Sequence, residues 1–169
     1  MNELLDPRVQ QALDANSLEY RVLACDPALA DTAAFCEHYG FALEQSANTI
    51  LITSRKVEPA KYAFCVVLAD SRVDVNKKVC ELMGIKRASF ADGETTTQLT
   101  GMMIGGVTPI GINNLASDLP IYVDSRVMQQ TEVVMGGGNR SSKLALHPQE
   151  LLKLPNVQVV VGLSQLKNR

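Results

Sequence analysis

The sequence predicts an α+β fold: one domain with a mixed β-sheet, partly curled toward a closed barrel, and helices around it. Three observations predict it. About nine short runs rich in β-branched and aromatic residues alternate with five or six capped, helix-like stretches, without the regular βαβ period of a parallel doubly wound sheet. No internal repeat, low-complexity tract or long linker divides the chain. Its 169 residues, 46% hydrophobic and 20% charged, suit a single well-filled core, so residues 1–169 are read as one domain.

The elements follow in order. Asp6-Pro7 with Val9, Ala12 and Leu13 gives an N-cap, a first-turn proline and an apolar helix stripe that Asn16 ends. Residues 18–25 have strand character through Tyr20, Val22 and Leu23. Asp26-Pro27 opens a second helix carrying Leu29, Ala33 and Cys36, which Gly40 stops. Residues 48–53 and 62–69 are strands joined by a polar loop containing Lys56 and Pro59. Asp74 caps a helix with Val75, Val79, Leu82 and Met83 inward and Gly84 at its end, and residues 85–90 return as a strand. Asp92 caps a helix that closes at Gly101. Strands are expected at 106–110, 120–123, 132–135 and 143–146, with a short helix at 124–130. Pro148 begins a last helix to residue 154, and 157–161 is the final strand.

Composition limits the chemistry. The first six residues lack the basic-then-apolar order of a signal peptide, and the apolar runs at 63–69 and 159–163 fall far below the roughly 20 residues that span a bilayer. A cytoplasmic location, with no membrane contact, is the default expectation. The four cysteines form no CxxC pair, and Cys65 and Cys80 read as small core residues. Only His38 and His147 are present, so no metal site and no cofactor are expected; no G-x-S-x-G elbow occurs. Charge is uneven: residues 1–60 hold 4 Lys/Arg against 9 Asp/Glu, and residues 126–169 hold 6 against 2. That basic C-terminal third reads equally as a phosphate-facing surface or as scattered surface charge.

Two glycine-bearing loops stand out. Gly101-Met-Met-Ile-Gly105-Gly106-Val107-Thr108-Pro109-Ile-Gly111 reads either as a tight turn opening a strand or as amides aimed at a carbonyl or tetrahedral oxyanion. Gly136-Gly137-Gly138-Asn139-Arg140-Ser141-Ser142-Lys143 is neither a P-loop nor a dinucleotide fingerprint. It reads as a strand connection, or as an anion nest in which amides, hydroxyls, Arg140 and Lys143 hold a phosphate or ribose.

Taken in order, several segments resemble the YbaK/prolyl-tRNA synthetase-associated editing-domain superfamily. They are Leu18-Glu-Tyr20-Arg-Val, Thr49-Ile-Leu-Ile52, residues 64–74, Phe90-Ala-Asp92, Leu99-Thr-Gly101, residues 105–111, and residues 136–143 with 144–154 after them. The resemblance runs through roughly residues 17–155, and the string 99–111 is its most specific part. It implies a free-standing hydrolase that cleaves the ester between a mischarged small amino acid and the terminal adenosine of tRNA, tRNA-Pro or a related tRNA. It implies aminoacyl-tRNA as partner, with a synthetase as a further one, and a water positioned by backbone amides and the substrate's own ribose hydroxyl. Asn48 stands where many members carry a lysine, and Cys25 where a histidine is common.

On this reading Gly105, Gly106 and Val107 are amide donors, Asn48 and Thr49 position the carbonyl or ribose, and Thr108 and Pro109 form nearby wall. Tyr20 packs on the aminoacyl group or adenine. Gly138, Arg140, Ser141 and Lys143 hold the acceptor-end phosphate. A second reading is a weakened module that binds tRNA ends, nucleotides or a synthetase without hydrolysis. A third is a hydrolase using Cys25 as nucleophile.

Overall fold

The computed structural model describes residues 4–112 and 116–167. Helix α1 (Pro7–Ala15) is capped by the Asp6 side chain on the Arg8 amide and ends at Asn16, as its residues dictate. Strand β1 (Arg21–Ala24) follows. The expected second helix is two pieces: a 3₁₀ turn over Pro27–Leu29 capped by Asp26, then α2 (Thr32–Tyr39) after a second start residue, Asp31. Gly40 closes α2 in the left-handed conformation.

Strands β2 (Ala47–Ser54), β3 (Tyr62–Leu68) and β4 (Ser71–Val73) come next. Asp74 caps a π-type turn, Val75–Val79, that runs into the short helix α3 (Cys80–Met83), stopped by Gly84. Then follow β5 (Ala88–Phe90), α4 (Gly93–Thr100, capped by Asp92 and closed at Gly101), β6 (Ile121–Asp124) and α5 (Ser125–Met128). The chain continues through β7 (Val133–Gly136), β8 (Ser142–Leu146), a 3₁₀ segment Pro148–Lys153, β9 (Val157–Val160) and β10 (Ser164–Leu166).

Two expectations need correction. Residues 106–110 form no strand: Gly106 donates to Met103 O and Thr108 to the Met102 sulfur, so local turns replace a ladder. Residues 157–161 are not the final strand, because β10 follows and pairs with β4.

The principal sheet has five strands in the order β5-β2-β3-β6-β9. Pairing is antiparallel across β5, β2 and β3 and parallel from β3 through β6 to β9, which makes it mixed. A three-stranded antiparallel sheet, β1-β8-β7, packs against it. The two sheets join at one parallel bridge, Ser46 to Val134, and the barrel stays open. The main core lies between them: Leu51, Phe64, Val66 and Leu68 on one side meet Met135, Leu144 and Leu146 on the other, with Val9 and Leu13 of α1. A second cluster fills the outer face of the large sheet beneath Val79 and Leu163, and a third holds α2 to the small sheet through Phe35, Cys36, Val134 and Ala145. Among the described residues no helix is long and apolar enough to cross a membrane.

Candidate active site

The junction of the two sheets leaves a gap. Among the described residues β5 pairs with β2 only along Ile52–Ser54, and β7 bridges to Ser46, the residue before β2. The Ala91 amide donates to Leu51 O (2.9 Å), so Leu51 points its main chain away from the β2–β3 ladder. Antiparallel pairing alternates every second residue, which turns the Thr49 main chain outward as well. A cavity of about 300 Å³ opens on this uncovered edge. Its walls are Ser46 and residues 47–51 of β2, Ala91 and Thr96, the loop residues Ile104, Gly105 and Val107, Asp31 and Thr32 at the start of α2, and Met135, Gly136 and Lys143 from the small sheet.

The loop from Met103 to Val107 reaches the cavity because two backbones cross almost in contact. A Cβ on Gly106 would lie 2.6 Å from the Asn139 nitrogen, and one on Gly136 would lie 2.5 Å from the Gly106 carbonyl carbon. The absence of both side chains lets the Gly138 amide donate to Gly106 O (2.7 Å) while Met103 N donates back to Gly138 O (3.2 Å). The Gly106 amide is held by the Met103 carbonyl at 2.9 Å. By contrast, the amides of Gly105 and Val107 have no partner among the described residues, and both residues line the cavity. The Thr49 hydroxyl is buried and unpartnered on the same wall. Asn48 accepts from the Thr32 hydroxyl (2.7 Å), and its amide nitrogen has no partner among the described residues.

Lys143 is the cation of the site. Its register opposite Gly136 on β8 sends the side chain inward, only 6% exposed. The ammonium donates to Ala30 O and Gly105 O, each at 2.7 Å, and lies 5.4 Å from the Phe35 ring centre. Burial lowers its pKa from the ordinary lysine value of 10.5, with Cys25 opposing that shift more weakly. One lysine therefore ties the start of α2 to the loop that carries the free amides. Asp31 is held below the usual carboxylate range by hydrogen bonding to Arg140, so it faces the cavity as an anion already paired.

The other sequence-predicted residues lie elsewhere. Arg140 clamps Asp31, Pro27 O and Ile104 O, acting as a brace behind the loop. The Asn139 side chain takes up the Ser141 amide and the Ser142 hydroxyl, which leaves no open nest there. A Cβ on Gly138 would meet Asp6 and Val9 of α1, on the side away from the cavity. Tyr20 accepts from Gln10 at 2.6 Å and packs on the main core. Thr108 and Pro109 are buried behind the loop. Lys56, out in the β2–β3 turn, lies beyond six residues of β2 from Asn48, roughly 20 Å, so it does not supply a cation at that position. Cys25 is buried, does not line the cavity, and has its thiol pushed up by desolvation, which disfavours a nucleophilic thiolate. Among the described residues no three His, Cys, Asp or Glu side chains gather as a metal-ligand set.

Sequence reasoning did not single out Asp31, Thr32, Ser46, Thr96 and Ile104 as wall residues. Asp31 preceding Thr32 is itself an N-cap signal, and reading one continuous helix from Asp26 hid it.

Comparison with known proteins agrees with this architecture. A crystal structure of the hypothetical protein APE2540 superposes with a TM-score of 0.81 at 23% identity, covering 94% of this chain and 99% of that one. A crystal structure described as a candidate trans-editing enzyme for prolyl-tRNA synthetase gives 0.77 at 27% identity, covering 98% and 99%. EbsC of Enterococcus faecalis, whose name makes it a candidate Cys-tRNA(Pro)/Cys-tRNA(Cys) deacylase, is 24% identical over 111 residues, 66% of this chain. The match spans 63% of that relative's length. The aminoacyl-tRNA editing domain matches residues 26–154, from the turn before α2 to the end of the last 3₁₀ segment, and takes in every residue of the cavity wall. On that match the chain belongs to the aminoacyl-tRNA editing domain family.

Proposed function

We propose that the protein hydrolyses mischarged aminoacyl-tRNA in trans, releasing a small amino acid from the 3′ end of tRNA-Pro or a related tRNA. The observation that carries this reading is the pair of unpartnered amides, Gly105 and Val107, on the wall of a cavity beside the outward-turned edge of β2. The ester carbonyl oxygen takes these two donors, and Asn48 and Thr49 hold the ribose and acyl group in register. Water adds to the carbonyl carbon, the ester C–O bond breaks, and the proton passes to the departing ribose oxygen. The neighbouring ribose hydroxyl orients the water. Preorganised donors of this kind each contribute on the order of 3–4 kcal/mol to an acyl-transfer transition state. The cavity, about 300 Å³, is at the small end of ligand pockets and favours a small acyl side chain.

The test is deacylation of a panel of mischarged tRNAs. Cysteinyl, alanyl or seryl esters are expected to turn over at least tenfold faster than aromatic ones, a difference within the roughly 1–3 kcal/mol that pocket volume supplies. Asn48→Ala is expected to lower the rate on the best substrate by about tenfold, the worth of one neutral hydrogen bond. An unchanged rate removes Asn48 from the site.

One observation favours a second reading. Asn48 offers a neutral amide where many editing domains carry a charge, which suits a module that binds tRNA ends or a synthetase without cleaving the ester. Retention of tRNA on a filter, with no hydrolysis of any panel member, selects that reading.

A further inference from the structure

We propose that the domain carries a second, phosphate-binding surface at the turn end of the β2–β3 hairpin, and that it grips the sugar–phosphate backbone of the acceptor arm of tRNA. The identity of this occupant rests on the editing reading above; the surface itself does not.

Every described lysine and arginine outside residues 55–87 has a side-chain partner. Arg21 pairs with Glu132, Arg126 with Asp70, Arg140 with Asp31 and Lys153 with Glu150. Arg8, Lys143 and Lys167 are taken by main-chain carbonyls. The basic C-terminal third is therefore occupied internally, apart from Arg169, which lies outside the described residues. Within residues 55–87 the pattern inverts. Arg55, Lys56, Lys61, Arg72, Lys86 and Arg87 are all exposed, and among the described residues none has a side-chain partner. Lys77 and Lys78, also without one, flank them on the turn after Asp74. Of the acids in this stretch, Asp70 is paired with Arg126, while Asp74, which caps the Lys77 amide, Glu58 and Glu81 have no cation partner among the described residues, three acids against these eight cations.

The fold gathers Arg55, Lys56, Lys61, Lys86 and Arg87 at one end of the sheet. The Arg55 amide donates to Arg87 O (2.9 Å), Ser54 pairs with Ala88, and the Lys61 amide donates to the Ser54 hydroxyl (2.8 Å). A hollow beside them is lined by Arg72, Asp74, Asn76, Ala88, Ser89 and Phe90. Phe90, 58% exposed, stands between this end and the cavity, offering a face on which a base can stack. From Ala88 to Ala91, which lines the cavity, is three residues of extended chain, about 10 Å. Phosphates a few nucleotides back from a 3′ end seated in the cavity fall on this surface. Unpaired cations beside an exposed aromatic ring, on a chain of net charge −2, match an RNA backbone in chemistry.

The experiment uses the full chain and end-labelled, uncharged tRNA, with affinity measured by fluorescence anisotropy from about 50 to 300 mM KCl. The triple variant Arg55→Gln, Lys61→Gln, Arg87→Gln is expected to bind at least tenfold more weakly at about 100 mM salt. Its log–log salt slope is expected to be shallower by about two, since each phosphate left without its cation removes roughly 0.7–0.9 from the slope. Arg21→Gln, whose side chain is already paired, is expected to change neither. With a mischarged substrate, the triple variant raises KM at least tenfold at unchanged kcat. Its rate on the aminoacyl ester of a short CCA oligonucleotide stays within twofold of wild type. An unchanged affinity and slope in the triple variant overturns the proposal, as does a wild type without salt-dependent tRNA binding or an equal loss on tRNA and on the short ester. A wild type that binds tRNA through these cations yet cleaves no ester leaves the surface standing and removes the hydrolytic reading.

Discussion

Lys143→Met is expected to lower single-turnover hydrolysis of the best mischarged tRNA by about a hundredfold, with a much smaller change in substrate affinity. The ammonium bridges Ala30 O and Gly105 O at 2.7 Å each, and no other described side chain replaces it on Gly105. Removing it leaves two carbonyls without their donor, at about 1–3 kcal/mol each where water does not reach them. It also frees the Gly105 peptide to rotate, and a misplaced oxyanion donor costs 10²–10³ in rate. Lys143→Arg is not expected to rescue, because the nitrogen sits in a space only 6% exposed against the Phe35 ring. The pH dependence separates this role from a merely structural one. Burial lowers the folded-state pKa, so the native protein gives up this proton at lower pH than the unfolded chain does. The cost of burying the charge is fully present below the folded pKa and fades as pH rises toward 10.5, so this group does not weaken the fold in alkali. Over that same interval the bridge to Gly105 weakens, because a neutral amine donates much more weakly than an ammonium. The rate advantage of wild type over Lys143→Met is therefore expected to shrink in alkaline buffer while thermal stability does not fall in parallel; a constant ratio across pH sinks the assignment.

Much of the scaffold was legible because it depends on local chemistry. Asp6, Asp74 and Asp92 announce helix or turn starts through carboxylates that accept main-chain amides, and Gly40, Gly84 and Gly101 announce stops. β3 is legible because burial on both faces demands a near-continuous apolar run, and β2 because its centre is rich in β-branched Thr and Ile. The site was legible only in part. Period and propensity do not say that residues 106–110, strand-like in composition, spend the Gly106 and Thr108 amides on turns with Met103 and Met102 and leave that of Val107 open. Nor does sequence distinguish a lysine that faces solvent from one that is buried. Lys143 follows two serines and precedes Leu144, and only the β7–β8 register turns it inward. Arg140 and Ser141 illustrate the converse. Their composition suits an anion nest, but Asp31 and Asn139 lie within reach and occupy the donors first.

Gly106→Ala is expected to destabilise the protein by about 1–3 kcal/mol, the usual cost of overpacking, and to abolish at least 99% of hydrolysis. The added methyl group would stand 2.6 Å from both the carbonyl carbon and the nitrogen of Asn139, and closer still to its oxygen. These are backbone atoms, held in place because Asn139 donates to Leu4 O and accepts from Ser141 and Ser142, so they cannot swing aside as a side-chain tip would. The two loops must part instead. Separation stretches the Gly138-to-Gly106 hydrogen bond of 2.7 Å and carries the Val107 amide away from the cavity wall. Gly40→Ala provides the contrast. Gly40 has φ +77°, so alanine there is strained by about 1–2 kcal/mol, but nothing lies within 4 Å of the new methyl and the position is remote from the cavity. The two variants should therefore lose similar stability in denaturant titration while only Gly106→Ala loses activity. If both retain full activity, or both lose it in proportion to stability, the amides of the 105–107 loop are not the oxyanion donors.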